Sequence, residues 1–284
     1  MRRRDFLKAS AAGILAVLTF TPNANIPPKD KFLIGRHNTN VPTPMDVRRG
    51  CLFCDIKPQD RKILEMFLTQ LAQDKEPDYS LQELERNMLF MTEYGQGYPK
   101  DTPKDSRWGF NGTLINSDGY FYTVNHYSFP LYPDNKFTVT SQGERCTIER
   151  IILAYDILHY DFIIGKVSPP KNLSVTPLVY STNRNIGQSV IGIPSPVHPY
   201  REKVHGKIIS RKPKGYVGPP IDPCRFYTSL DMWNGHSGSL IVTPKLKVVG
   251  LAQRGSLEDI PFKFPCEGLK VEYIEQLIRY RLSL

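Results

Sequence analysis

"GTLINSDGYFYTVNH", from Gly112 to His126, sets two short runs rich in β-branched and aromatic residues on either side of an Asp-Gly pair. Such runs predict β-strands, and Asp118-Gly119 within "NSDGY" predicts a tight hairpin turn between them. The second strand runs directly into His126, which places a histidine at a strand end. Everything else in the chain is read outward from this hairpin.

The same texture continues on both sides. "MLFMTEY" precedes it, and "KFTVTS", "DFIIGKV", "SVIGIP", "KIIS", "RFYTSL", "SLIVT" and "KVVGLAQ" follow, separated by Gly, Pro, Asn and Asp. Short strands at regular intervals with turn signals predict a sandwich or barrel. Upstream the pattern changes. Asn25 to Asp60 is rich in Pro, Asn and Lys with no sustained period, and reads as an irregular arm. Ile63, Leu64, Phe67, Leu68 and Leu71 recur at helical spacing, so Arg61 to Gln73 is predicted to be an amphipathic helix. "SLQELERN" predicts a second helix, with Ser80 as N-cap and Glu83 completing a capping box. The chain closes on a third predicted helix, in which Val271, Ile274, Leu277 and Ile278 share one face.

With 284 residues, 40% of them hydrophobic and including 15 Tyr and 14 Phe, the chain has ample material for a core and is not a disordered protein. The formal net charge is +9, but Arg2, Arg3, Arg4 and Lys8 against Asp5 place +3 of it at the N-terminus, leaving +6. The remaining basic residues are scattered and form no basic helix face or nucleic-acid motif. The composition therefore predicts a basic soluble surface and no nucleic-acid partner.

"MRRRDFLKASAAGILAVLTF" combines a positive start with an apolar run from Ala9 to Phe20 that is short for a bilayer span. Its "RRDFLK", Arg3 to Lys8, resembles the bacterial twin-arginine signal, in which paired arginines precede Phe, Leu and Lys. The resemblance implies a signal peptide over residues 1–24, export of a folded protein, periplasmic or secreted residence and no stable membrane insertion after processing. The five cysteines, Cys51, Cys54, Cys146, Cys224 and Cys266, fit an oxidising compartment, and their odd number leaves at least one unpaired within the chain. Two bridges would allow fifteen arrangements. "CLFC" lacks a partner spaced for zinc and is not followed by a redox βαβ pattern, so no metal and no cofactor are expected.

Three stretches carry the chemistry in this order: the hairpin ending in His126, "HYDFIIGKV" with Asp161 at the entry of an aliphatic strand, and "NGHSGS" with Ser237 between glycines. Together they resemble the trypsin-like serine peptidases, closest to the bacterial HtrA-type branch; the "SGS" ending is also seen in glutamyl endopeptidases. Order and spacing agree with that family, with 35 positions from His126 to Asp161 and 76 from Asp161 to Ser237. The resemblance implies an all-β, chymotrypsin-like double β-barrel over 88–284, preceded by an arm and helical extension over 25–87 and closed by a C-terminal helix. It implies protein or peptide substrates. HtrA-type proteins usually continue into PDZ domains, but Leu284 follows soon after the closing helix, so none is expected within this chain.

The residue types suit the chemistry. Serine is a weak nucleophile at neutral pH and needs a base with a pKa near working pH, the role of His126. The protonated imidazole needs an anion that also selects its tautomer, the role of Asp161. Asp156 and His159 lie near Asp161 and compete with it, but only Asp161 is followed by a strand. The resemblance assigns the oxyanion-binding N–H groups to Gly235 and Ser237. It assigns Asp231, Gln253, Arg254 and Gly255 to substrate binding, with the cleavage preference left open.

The chain departs from the family at three places in the serine loop: His236 where an acidic residue is common, Ser239 for the glycine and Leu240 for the proline. His236 is expected to face solvent. Two other readings compete with the peptidase: a catalytically inactive binding module on the same fold, and a metal or redox centre at "CLFC".

Overall fold

The computed structural model describes residues 51–54, 56–73, 75–94, 109–125, 136–155, 160–197, 202–209, 224–232, 235–254 and 265–283. The leader, the arm up to residue 50, His126, Asp156, His159 and Gly255 lie outside them, as do the side chains of Cys51, Cys54 and Arg254.

Among the described residues there are fourteen strands and three helices. The first sheet is built from β1 (Cys51–Cys54), β2 (Met88–Tyr94), β3 (Gly109–Leu114), β4 (Tyr120–Thr123), β5 (Lys136–Ser141), β6 (Glu144–Cys146), β7 (Ile148–Tyr155) and β8 (Phe162–Val167), in the order β1-β7-β8-β4-β3-β2-β5-β6. The second is a closed barrel formed by β9 (Ser189–Ile193), β10 (Val204–Ile209), β11 (Arg225–Asp231), β12 (Leu240–Val242), β13 (Val248–Arg254) and β14 (Pro265–Lys270), in the order β10-β11-β14-β13-β12-β9. Every named ladder is antiparallel. This is the all-β double-barrel architecture that the strand spacing and the resemblance anticipate.

The predicted strands all form, and four that the sequence did not announce join them. β7 was hidden because two register shifts interrupt its alternation. β14 opens on Pro and contains Gly, so its propensity is poor; it is held as a strand by β11 on one side and β13 on the other. β6 is a three-residue charged strand at the end of the sheet, and β1, inside the stretch read as an irregular arm, adds to the opposite end against β7.

In the hairpin, Gly112 pairs with Thr123 and Leu114 with Phe121. Its turn is longer than a two-residue Asp-Gly connection. The Ile115 N–H donates to the Tyr120 carbonyl at 2.7 Å and the Gly119 N–H to the Asn116 carbonyl at 3.3 Å, which makes Asn116 to Gly119 the loop. The type I′ turn that Asp-Gly favours needs two left-handed residues, whereas only Gly119, at φ +86°, takes that conformation here.

The helices are α1 (Pro58–Leu71), α2 (Leu81–Arg86) and α3 (Val271–Leu282). α2 has the anticipated capping box: Ser80 Oγ accepts from the Glu83 N–H, and the Glu83 carboxylate accepts from the Ser80 N–H. α1 starts three residues before its predicted start because Pro58 occupies the first turn, where its missing N–H costs nothing. That start buries Asp60 completely. Its carboxylate accepts from the Lys57 N–H at 3.1 Å and from the Tyr120 hydroxyl at 2.9 Å, and it pairs with Arg150. Burial and the Asp60 carboxylate push the Tyr120 hydroxyl up to about 12, so it remains a hydrogen-bond donor at neutral pH.

Leu64 and Phe67 of α1 and Leu277 and Ile278 of α3 belong to the same apolar core as β4, β7 and β8. Phe67 stacks on Tyr122 with ring centroids 5.5 Å apart. A second cluster, including Phe226, Leu230, Ile241 and Val249, fills the closed barrel. Cys146 and Cys266 are buried free thiols, which leaves too few cysteines for the two-bridge arrangements. Burial pushes the Cys266 thiol up to about 12, so it is neutral and inert.

Candidate active site

The serine loop lies between β11 and β12. It closes as a tight turn in which the Ser239 N–H donates to the His236 carbonyl at 2.9 Å. Two bonds tie it to β13: the Gly238 N–H to the Ala252 carbonyl at 2.7 Å, and the Ala252 N–H to the Ser239 carbonyl at 2.9 Å. Ser237 is half-buried, with its Oγ 3.4 Å from the Gln253 carbonyl oxygen, to which it donates. The substitutions at Ser239 and Leu240 leave this turn intact. Both residues are fully buried.

A residue absent from the sequence-level site holds the loop from the other side. Asn111 of β3 is fully buried, and its Nδ2 donates to the Gly235 carbonyl at 2.9 Å and to Ser239 Oγ at 3.1 Å, with a longer contact of 3.3 Å to the Ser237 carbonyl. Its backbone N–H donates to the Ser237 carbonyl at 2.7 Å, and its Oδ1 accepts from the Ser195 N–H at 2.9 Å. One side chain thus fastens the first sheet to the loop of the second barrel. The available signal was a lone amide in "GFNGTL", where every other feature predicts a buried strand.

With these carbonyls engaged, the N–H groups of Gly235 and Ser237 donate to no partner among the described residues. The Ser237 N–H shares a peptide plane with the His236 carbonyl and points opposite to it, because a trans peptide directs the two groups apart. Backbone N–H donors directed at one place beside a serine hydroxyl are what a developing oxyanion requires.

Gly238 explains why the loop is glycine-rich. Its φ is +80°, and a Cβ there would lie 1.8 Å from the Asn111 carbonyl oxygen and 2.8 Å from Thr123 Oγ1. Gly238→Ala is expected to lower stability by roughly 3 kcal/mol or more, from left-handed strain plus overlap with backbone that cannot yield. For a domain of this size that corresponds to a fall of roughly 6–12 °C in Tm, measurable by calorimetry.

Asp161 stands at the entry of β8, fully buried and with φ +49°. Its Oδ1 accepts from the Asn125 N–H at 2.7 Å, so the carboxylate is docked on the residue immediately before His126. Asn125 is in turn fixed by its Nδ2 donating to the Tyr155 carbonyl at 2.7 Å. His126 itself lies outside the described residues.

The structure corrects one expectation in the loop: His236 is buried at 1% exposure and does not face solvent. The turn that presents Ser237 directs its predecessor inward. Gln253, which the resemblance assigns to substrate binding, is also 1% exposed, and its side chain turns inward beneath Asp161. Asp231 closes β11 in a half-buried position opposite Pro265. Arg254 ends β13 and Gly255 lies outside the described residues. Among the described residues, no three His, Cys, Asp or Glu side chains are grouped as a metal site would need.

The fold is that of a chymotrypsin-like double β-barrel, the architecture of trypsin-like serine proteases. No family model matches the chain, and no curated protein does. Among solved structures, an inactive form of Rv3671c from M. tuberculosis, carrying a serine-to-alanine mutation, is similar with a TM-score of 0.51 at 15% identity, over 74% of this chain and 98% of that one. Deg5 is similar with a TM-score of 0.50 at 15% identity, over 75% of this chain and 92% of that one.

Proposed function

We propose that the protein is an exported serine endopeptidase that cleaves protein or peptide substrates through Ser237, His126 and Asp161. The observation that carries this reading is a single bracket. Gln253 accepts from Ser237 Oγ with its carbonyl and donates to the Asp161 carbonyl with its side chain, while the Asp161 carboxylate holds the residue before His126. This supports the reading by linking Ser237 to Asp161 through one residue and by tying Asp161 to the residue that precedes His126.

In this reading Ser237 Oγ attacks the scissile carbonyl carbon as His126 takes its proton. The oxyanion is received by the N–H groups of Gly235 and Ser237. His126 then returns the proton to the leaving amine as the C–N bond breaks, and a water molecule, deprotonated by the same imidazole, hydrolyses the acyl-enzyme. Asp161 stabilises the imidazolium at each transfer and fixes its tautomer. Export rests on the "RRDFLK" leader, which also supports periplasmic or secreted residence.

The test is labelling of the purified mature protein with a fluorophosphonate, followed by peptide mapping of the adduct. Attachment at Ser237 is expected. Folded protein that acquires no adduct at Ser237 would instead be a binding module on a peptidase fold.

A further inference from the structure

We propose that Gln253 is the positioning residue for Asp161, and that the buried Arg225–Glu267 ion pair holds Gln253 in its working orientation. The inference rests on the peptidase reading above.

Gln253 sits where the β13–β14 register shifts, between Ala252 opposite Gly268 and Arg254 opposite Glu267. Such a bulge redirects a side chain, and here the amide lies beneath the start of β8. Its Nε2 donates to two successive carbonyls, those of Tyr160 at 2.5 Å and Asp161 at 2.9 Å. The two belong to the peptide planes on either side of the Asp161 Cα. One amide therefore restrains both, at a residue whose φ of +49° is rarely adopted by a side chain with a Cβ.

An amide can be turned end for end, and its orientation is set by what faces it. Arg225 Nε faces Gln253 Oε1 at 3.1 Å. A guanidinium only donates, so this contact requires the amide oxygen on that side and leaves both amide hydrogens for the two carbonyls. Arg225 is held in turn by Glu267, with Nη1 and Oε1 2.9 Å apart and side chains 1% and 2% exposed. A guanidinium that deep needs a carboxylate, and this pair lies diagonally across the β11–β14 ladder. The line of contacts runs from Glu267 through Arg225 and Gln253 to the backbone of Asp161. Its effect is to keep the carboxylate on the N–H of Asn125, the residue before the proposed base.

The experiment measures the rate of Ser237 acylation by a fluorophosphonate from pH 5 to 9. It compares wild type, Gln253→Met, Gln253→Glu, Asp161→Asn and the doubles, each checked for folding by thermal melting. Gln253→Met removes every side-chain hydrogen bond, while Gln253→Glu keeps the acceptor for Arg225 and loses both donors, so either can decide the question if the other fails to fold. With Asp161 in place the expected slowing is about 100-fold, the scale of a misplacement near 1 Å. The acid limb of the profile is expected to move to lower pH, because a displaced carboxylate no longer favours the protonated base. In the Asp161→Asn background the same substitutions are expected to change the rate less than about two-fold, since the effect passes through Asp161. An undiminished rate in a folded Gln253 variant, or a slowing that persists in the Asp161→Asn background, overturns the positioning role alone. Wild-type protein without an adduct at Ser237 overturns the peptidase reading and this role with it.

Discussion

Ser237→Ala is expected to lower peptidase turnover by about 10⁶-fold, the scale measured when the nucleophile of a serine protease is removed. Ser239, the nearest hydroxyl in sequence, cannot take the place of Oγ: it is fully buried and already accepts from Asn111. Stability should hardly change. Among the described residues Oγ makes one hydrogen bond, at 3.4 Å, and the position is half-buried, so the loss falls within about 0.5 kcal/mol. Hydrolysis of a peptide substrate under single-turnover conditions, with thermal melting alongside, separates the two effects. Retention of more than a small percentage of the rate by a folded variant would remove Ser237 from the mechanism.

Asp161→Asn is expected to slow turnover by about 10⁴-fold while leaving the fold in place. An asparagine can still offer its oxygen to the Asn125 N–H, so the contact seen at 2.7 Å can survive the change. What the proposed mechanism loses is the negative charge that stabilises the imidazolium, together with an acceptor that selects the working tautomer; an amide nitrogen donates where a carboxylate accepts. The measurement is kcat for a peptide substrate at neutral pH, with Asp161→Ala as a companion that leaves the Asn125 N–H unpaired. Near-normal turnover in a folded Asp161→Asn would return attention to Asp156.

The proposed catalytic residues were legible in the sequence because their chemistry is local in type. A hairpin ending in histidine, an aspartate before an aliphatic strand and a serine between glycines are each visible within a few residues. The supporting layer was harder to see. Asn111, Arg225 and Glu267 stand in separate strands, and nothing in "GFNGTL", "RFYTSL" or "PCEGLK" announces that they converge on the serine loop and on Asp161. His236 was misread for the same reason. A charged-type residue in a Gly-rich loop ordinarily faces water, and the inward turn of its side chain follows from bonds made by its neighbours to β3 and β13.

Periodicity and turn chemistry were sufficient for ten strands, three helices, the Ser80 cap and the order of the three proposed catalytic residues, because each depends on groups close together in the chain. Which strands close the second barrel, the bulge that aims Gln253 and the joining of the first sheet to the serine loop through Asn111 arise from contacts between segments as many as 128 residues apart. Those contacts are selected by burial. An amide or a guanidinium placed in the interior must find its partners there, and only the assembled barrels bring those partners within reach.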